Sequence, residues 1–231
     1  PAFPWHVGRK EKNNRNLNFT MGYDCLKAIK EYKKDKLISV VSSSKAFTKG
    51  HCLRLDFVRK LKEYFGERID VFGRGIRDFE DKWDVVAPYK YHIVLENNSA
   101  PDYWTEKLSD AFLGCSYPLY YGCTNIKDYF PEGSFTCIDM NDADWAIKKI
   151  ESCINGQVYE RSIGKLLEAK SLILDKYNFF PYAAALVNGL GNQNDYLNEK
   201  ITLFPQEEKM NFYQRCVGKA RYLTDSLRGK F

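Results

Sequence analysis

From position 37 the chain alternates between short, nearly continuous apolar runs and longer stretches in which apolar residues recur three and four apart. The runs are LISVV (37 to 41), IDVFG (69 to 73), YHIVLE (91 to 96), YPLYYG (117 to 122) and FTCID (135 to 139), rich in the β-branched and aromatic residues that favour strands. The stretches around them predict helices over 53 to 65, 105 to 115 and 142 to 154, with a short piece near 124 to 130. This alternation builds βαβ units and a parallel sheet. The third and fourth runs are nearly continuous in hydrophobic character, which predicts burial on both faces. Residues 37 to 156 therefore read as an α/β domain, a Rossmann-like parallel sheet flanked by helices.

The flanks follow other patterns. Residues 1 to 36 hold a polar, Asn-rich and basic segment, GRKEKNNRNLNF, and then a helical pattern, which reads as a linker and a helix. Residues 157 to 231 read as two or three helices separated by GLGNQND and by Pro205, packing on the sheet domain or on another one. Neither flank shows an internal repeat.

Within the helix predicted from 105, Leu108, Ala111, Phe112 and Cys115 form an apolar stripe, Asp110 falls on the opposite side, and Thr105 is placed as the N-cap. Lys107 then stands in the first turn, where the helix dipole is positive and an ammonium is disfavoured by roughly 0.3 to 1 kcal/mol. An anion must stand close by. Glu106 is one candidate and a bound ligand is another.

Composition narrows the function. Lys and Arg total 35 against 30 Asp and Glu, a net +5, which suits an anionic small molecule and is too small and dispersed for a nucleic-acid partner. The seven cysteines lack C-x-x-C spacing, so neither a zinc site nor a disulfide framework is indicated, and a reducing compartment fits. No apolar stretch of ~18 residues is present to cross a membrane, and PAFPWHVGRK lacks the apolar core of a signal peptide. The expected location is cytoplasmic, with peripheral membrane association left open.

In open α/β sheets, ligands bind beyond the carboxyl ends of the strands, near helix N-termini. The loops there are SSSKAFTKGHCLRLD after the first strand and ENNSAPDYWTEK after the third. Neither a dinucleotide G-x-G-x-x-G nor a P-loop stands in the first, so phosphate recognition must use side chains. Ser43 and Ser44 could hold phosphate oxygens or make local turns. Gly73 either permits a close backbone approach or ends a strand. His51 lies in the first loop, and His92 falls in a buried strand pattern.

The run YKYHIVLENNSAPDYWTEKLSDAFLGCSYPLYYG closely resembles the donor-binding domain of the α-1,3/α-1,4-fucosyltransferase family. That family's motif reads F-E-N-(x)n-D-Y-x-T-E-K-(aliphatic)-x-x-A-(aromatic). Here Glu96, Asn97, Asp102, Tyr103, Thr105, Glu106, Lys107, Leu108, Ala111 and Phe112 follow in that order. Upstream, VVSSS, Arg54 and IDVFGRG are similar to further family segments, so the resemblance spans about 37 to 140.

The resemblance implies one half of a GT-B glycosyltransferase, the part that binds GDP-fucose, in an enzyme that transfers fucose with inversion to a hydroxyl of an acceptor glycan such as an N-acetylglucosamine-containing sugar. Lys107 and Arg54 would meet the pyrophosphate, with Ser43 and Ser44 nearby. Glu106 and Asn97 would contact sugar hydroxyls, and Tyr103 would be a donor-site aromatic. Glu96 is either a site residue or a buried hydrogen-bonding group. No metal is implied, since cations can meet the departing diphosphate directly, although stimulation by Mn²⁺ or Mg²⁺ is compatible with such a site. The acceptor and the general base belong to a preceding domain in this family. Another nucleotide sugar such as GDP-mannose, or a non-catalytic nucleotide-sugar module, is the alternative.

Overall fold

The computed structural model describes residues 5–12, 16–42 and 49–190. Five parallel strands form the sheet: β3 (Lys36–Val41), β4 (Ile69–Phe72), β5 (Tyr89–Leu95), β6 (Tyr117–Tyr121) and β7 (Thr136–Cys137), in the spatial order β4-β3-β5-β6-β7. Before them come an antiparallel hairpin, β1 (Arg9–Lys12) with β2 (Asn16–Phe19), and a short helix α1 (Tyr23–Ala28). The helices between and after the strands are α2 (Lys49–Phe65), α3 (Lys82–Val86), α4 (Glu106–Leu113), α5 (Ala143–Asn155), α6 (Val158–Arg161), α7 (Ile163–Asp175) and α8 (Phe179–Leu190).

The register places Val40 beside Val71 on one side and Ile93 on the other, and Leu119 then pairs with Ile93. These interior strands are largely apolar because helices cover both faces, with Ser39 and His92 as a buried polar pair. One layer holds α2 and α5, and the other holds α3, α4 and α7. The predicted stripe on α4 is observed, with Leu108, Ala111 and Phe112 fully buried. Each such large side chain contributes roughly 1.5 to 3 kcal/mol by leaving water.

Several expectations are corrected. The helix predicted from 53 begins at Lys49, ahead of its apolar stripe. The piece near 124 to 130 is a single 3₁₀ turn, Ile126–Asp128. The run at 135 to 139 is in ladder register only at Thr136–Cys137, although the Ile138 amide still donates to the Tyr120 carbonyl at 2.8 Å. The hairpin and α3 are too short to be read from pattern: β1 has no apolar residue, the alternation in β2 is limited to Leu17 and Phe19, and α3 spans too few residues to display a helical period. The flanks also share the central core, through Val7 and Leu26 on one side and Leu166, Ile173 and Tyr177 on the other. Among the described residues, no helix is long and apolar enough to cross a membrane.

The order of the strands fixes where a ligand can enter. The chain leaves β3 through α2 toward β4 and then crosses back through α3 to β5, so connections diverge from β3 and β5. A crevice must open beyond their carboxyl ends.

Candidate functional site

That crevice is a cleft of about 1000 Å³, lined by the end of β3 (Val41), by Arg54 of α2, by β5 from His92 to Leu95, by Asn97, and by Glu106 and Lys107 at the start of α4. Arg74, Asp78, Phe79 and Glu80 reach it from the loop after β4, Lys82 from α3, His51 from α2, and His6 and Arg9 from the N-terminal segment. Cations outnumber carboxylates on its walls.

Arg54 is buried, and its position is set from both sides. Its Nε donates to Ser42 Oγ at 3.2 Å and its Nη1 donates to Asn97 Oδ1 at 2.7 Å. Burial draws its pKa below the ordinary value, yet a guanidinium remains charged at neutral pH. The bond to Asn97 links α2 to the loop after β5. Gly73 brings the neighbouring strand end in: with φ of +140°, a Cβ there would lie 1.9 Å from the Ser42 carbonyl oxygen, so close backbone approach is its role.

At the start of α4, Thr105 is the N-cap, its Oγ1 accepting from the Lys107 amide at 3.4 Å. Beneath it lies Glu96, fully buried at the end of β5. The Glu96 carboxylate accepts from the Thr105 amide at 2.9 Å, from Thr105 Oγ1 at 2.8 Å and from Lys107 Nζ at 2.9 Å. The anion beside the misplaced lysine is therefore Glu96, eleven positions upstream, while Glu106 Oε1 stands 3.9 Å away. Gly122 leaves room for it, since a Cβ there would meet Glu96 Cγ at 2.5 Å. Burial alone would raise the Glu106 pKa, but Lys107, Lys82 and His6 together hold its carboxyl below the ordinary value, so it is ionised at neutral pH.

Asp110, read from the sequence as lying opposite the apolar stripe, is not exposed there. It is fully buried, pairs with Lys82 Nζ at 2.7 Å and accepts the backbone amides of His6 and Val7 at 2.7 and 3.1 Å. Asp81 accepts the Gly8 amide and the Thr20 hydroxyl while capping α3 through the Trp83 amide. The helical period was right, and the N-terminal segment covers that side of α4. His92 is a buried floor residue of the cleft, with Nδ1 2.8 Å from Ser39 Oγ, and burial lowers its pKa to about 3. It is neutral at neutral pH.

The geometry thus brings Arg54, Asn97, Glu106 and Lys107 to one cleft. Tyr103 is not among the lining residues; it is half-buried in a turn where its amide donates to the Ala100 carbonyl, next to an Asp102 held by Asn125 and Tyr129. Ser43 and Ser44 lie outside the described residues. Motif reading gave no site role to His6, Arg9, Arg74 or Lys82, although Arg9 lies in the basic segment GRKEKNNRNLNF and Arg74 in IDVFGRG. Among the described residues, no group of three or more His, Cys, Asp or Glu side chains is arranged to hold a metal ion.

The chain is 35% identical over 94 residues to alpha-(1,3)-fucosyltransferase 4 of Bos taurus, a match covering 37% of this chain and 23% of that protein. It is 30% identical over 73 residues to the alpha-(1,3)-fucosyltransferase FucT of Helicobacter pylori, covering 31% and 15% respectively. The matches span less than a quarter of either relative's length. Crystal structures of an alpha1,3-fucosyltransferase with GDP and with GDP-fucose align over 61% of this chain and 47% and 48% of theirs, at 22% and 21% identity, each with a TM-score of 0.46. Residues 31–152 match the model of the C-terminal domain of glycosyltransferase family 10 (fucosyltransferase). Since that match takes in more than half of the residues, and the four motif side chains that meet in the cleft lie within it, the chain belongs to glycosyltransferase family 10, the fucosyltransferases.

Proposed function

We propose that this chain is the donor-binding part of a fucosyltransferase that holds GDP-fucose in the cleft beyond β3 and β5 and passes its sugar, with inversion, to a hydroxyl of an acceptor glycan. The observation that carries the reading is the convergence of Arg54, Asn97, Glu106 and Lys107 at the sheet's switch point, beside the N-terminus of α4. In transfer, the bond from the sugar's anomeric carbon to the β-phosphate oxygen breaks, and that oxygen keeps the electron pair. The Lys107 ammonium, the Arg54 guanidinium and the positive end of the α4 dipole border the cleft where such charge would develop, which is how an electrostatic site stabilises a leaving group without reorganising. Glu106, ionised, accepts hydroxyl hydrogen bonds, and Asn97, whose Oδ1 is taken by Arg54, offers its amide N–H₂. The sheet would be one of two Rossmann-like halves of a GT-B enzyme, and the base that takes the acceptor's proton would come from the other half.

The test is a calorimetric titration of the chain with GDP-fucose, GDP-mannose and GDP, without and with Mn²⁺. GDP-fucose is expected to bind without metal, and Lys107→Ala and Arg54→Ala are each expected to weaken binding by at least tenfold, about 1.4 kcal/mol. Full affinity in both variants overturns the reading. Tighter binding of GDP-mannose than of GDP-fucose transfers it to another donor.

A further inference from the structure

We infer that Arg9, on the N-terminal hairpin, is a third cationic contact for the donor's diphosphate, an assignment that rests on the donor-cleft reading above. Arg9 lies outside residues 31–152, where the family match falls, in a basic segment that the sequence motifs leave without a role. It lines the same cleft as Arg54 and Lys107.

Two things distinguish it from a surface arginine. Its backbone is fixed: the amides of His6 and Val7 donate to Asp110, the amide of Gly8 donates to Asp81 Oδ1 at 2.9 Å, and Thr20, beyond the facing strand, donates its hydroxyl to Asp81 Oδ2. Both acids are buried, so the segment preceding Arg9 cannot move away from α3 and α4 without exposing them. Its head group, by contrast, has no acceptor among the described residues: Nε is buried and makes no hydrogen bond, and the guanidinium lies over the Phe19 ring, 5.3 Å from its centroid. A guanidinium carries five N–H donors in a planar fork, and burying one without an acceptor is unfavourable unless a ligand supplies it. An aromatic ring holds the plane of the fork but gives it no acceptor oxygen. Diphosphate oxygens fit such a fork in bidentate fashion.

The test is titration of the 231-residue chain with GDP and GMP, in wild type, Arg9→Met and Lys107→Met, with thermal unfolding recorded for each. Methionine keeps the apolar stem over Phe19 and removes the fork. Arg9→Met is expected to lower GDP affinity about tenfold while leaving GMP affinity within about twofold, because the contact is to the diphosphate rather than the base or ribose. If Arg9→Met melts early, Arg9→Lys, which keeps the charge and loses the fork, is expected to retain the wild-type melting temperature and lose part of the GDP preference. GDP binding that is unchanged in Arg9→Met but lost in Lys107→Met overturns the role of Arg9 and leaves the donor cleft standing. Equal losses for GDP and GMP likewise reject a diphosphate contact. Absence of guanine-nucleotide binding in the wild-type chain overturns the donor reading, and this assignment with it.

Discussion

Lys107 Nζ lies 2.9 Å from Oε2 of Glu96, a carboxylate without exposed surface. This pair explains how an ammonium is tolerated in the first turn of a helix: the buried charge beneath α4 offsets the dipole at the site where it opposes a cation. The same carboxylate takes the Thr105 amide and hydroxyl, so one side chain ties the end of β5 to the cap of α4. Glu96 is accordingly a positioning residue under the cleft rather than part of its lining.

Glu96→Gln keeps the shape of that contact and removes its charge. Loss of a charge-assisted hydrogen bond to a partly buried ammonium costs about 1 to 3 kcal/mol. Chemical denaturation is expected to report a destabilisation of that size, and Thr105→Ala, which removes the cap together with the hydroxyl bond to Glu96, should likewise cost about 1 to 3 kcal/mol. Equal stability of Glu96→Gln and wild type would contradict the pairing.

Asp110 and Lys82 form the most buried ion pair described, and Asp110 also holds two backbone amides of the N-terminal segment. Asp110→Asn strands the Lys82 ammonium, and breaking a buried pair from one side costs about 3 to 5 kcal/mol. Amide hydrogen exchange at His6 and Val7 should accelerate ahead of global unfolding. Unaltered protection at both would show that the segment is held by other means.

His92 gives the cleft floor a pH dependence of defined sign. Its pKa falls to about 3 in the folded protein from the ordinary 6.5, so between those values the unfolded chain binds the extra proton and stability rises with pH. The contribution is complete above about pH 6.5 and declines as acid is added, by about 1 kcal/mol per pH unit. His92→Phe cannot titrate, so its acid limb should be shallower than wild type between pH 6 and 4. Parallel stability curves would remove the effect.

Gly73→Ala places a methyl group 1.9 Å from the Ser42 carbonyl oxygen at a φ of +140°. Strain in this region costs on the order of 1 to 3 kcal/mol even before the clash is counted. The expected result is a destabilised variant with weakened guanine-nucleotide binding, because Ser42 also holds Arg54 Nε. A variant that binds normally would separate the strand contact from the site.

The periodic elements were legible in the chain because local pattern and tertiary environment agree there. Interior strands covered on both faces must be largely apolar, and α4 must carry its stripe at helical spacing, so the five-run alternation and the Thr105 cap identified a parallel α/β sheet and the element that bears Lys107. The E-N…D-Y-x-T-E-K run likewise named Arg54's partners in the cleft before any geometry was known. What periodicity could not decide was which charges meet. Glu96 reaches Lys107, Asp110 on the side opposite the apolar stripe becomes a buried hub, and Arg9 arrives at the cleft because two acids pin a short and mostly polar hairpin. Hydrophobic spacing is a property of neighbours along the chain, whereas ion pairing and desolvation depend on residues that the topology brings together from far apart. Local spacing therefore determined the sheet and its family motif, and the tertiary structure alone determined the electrostatics of the cleft.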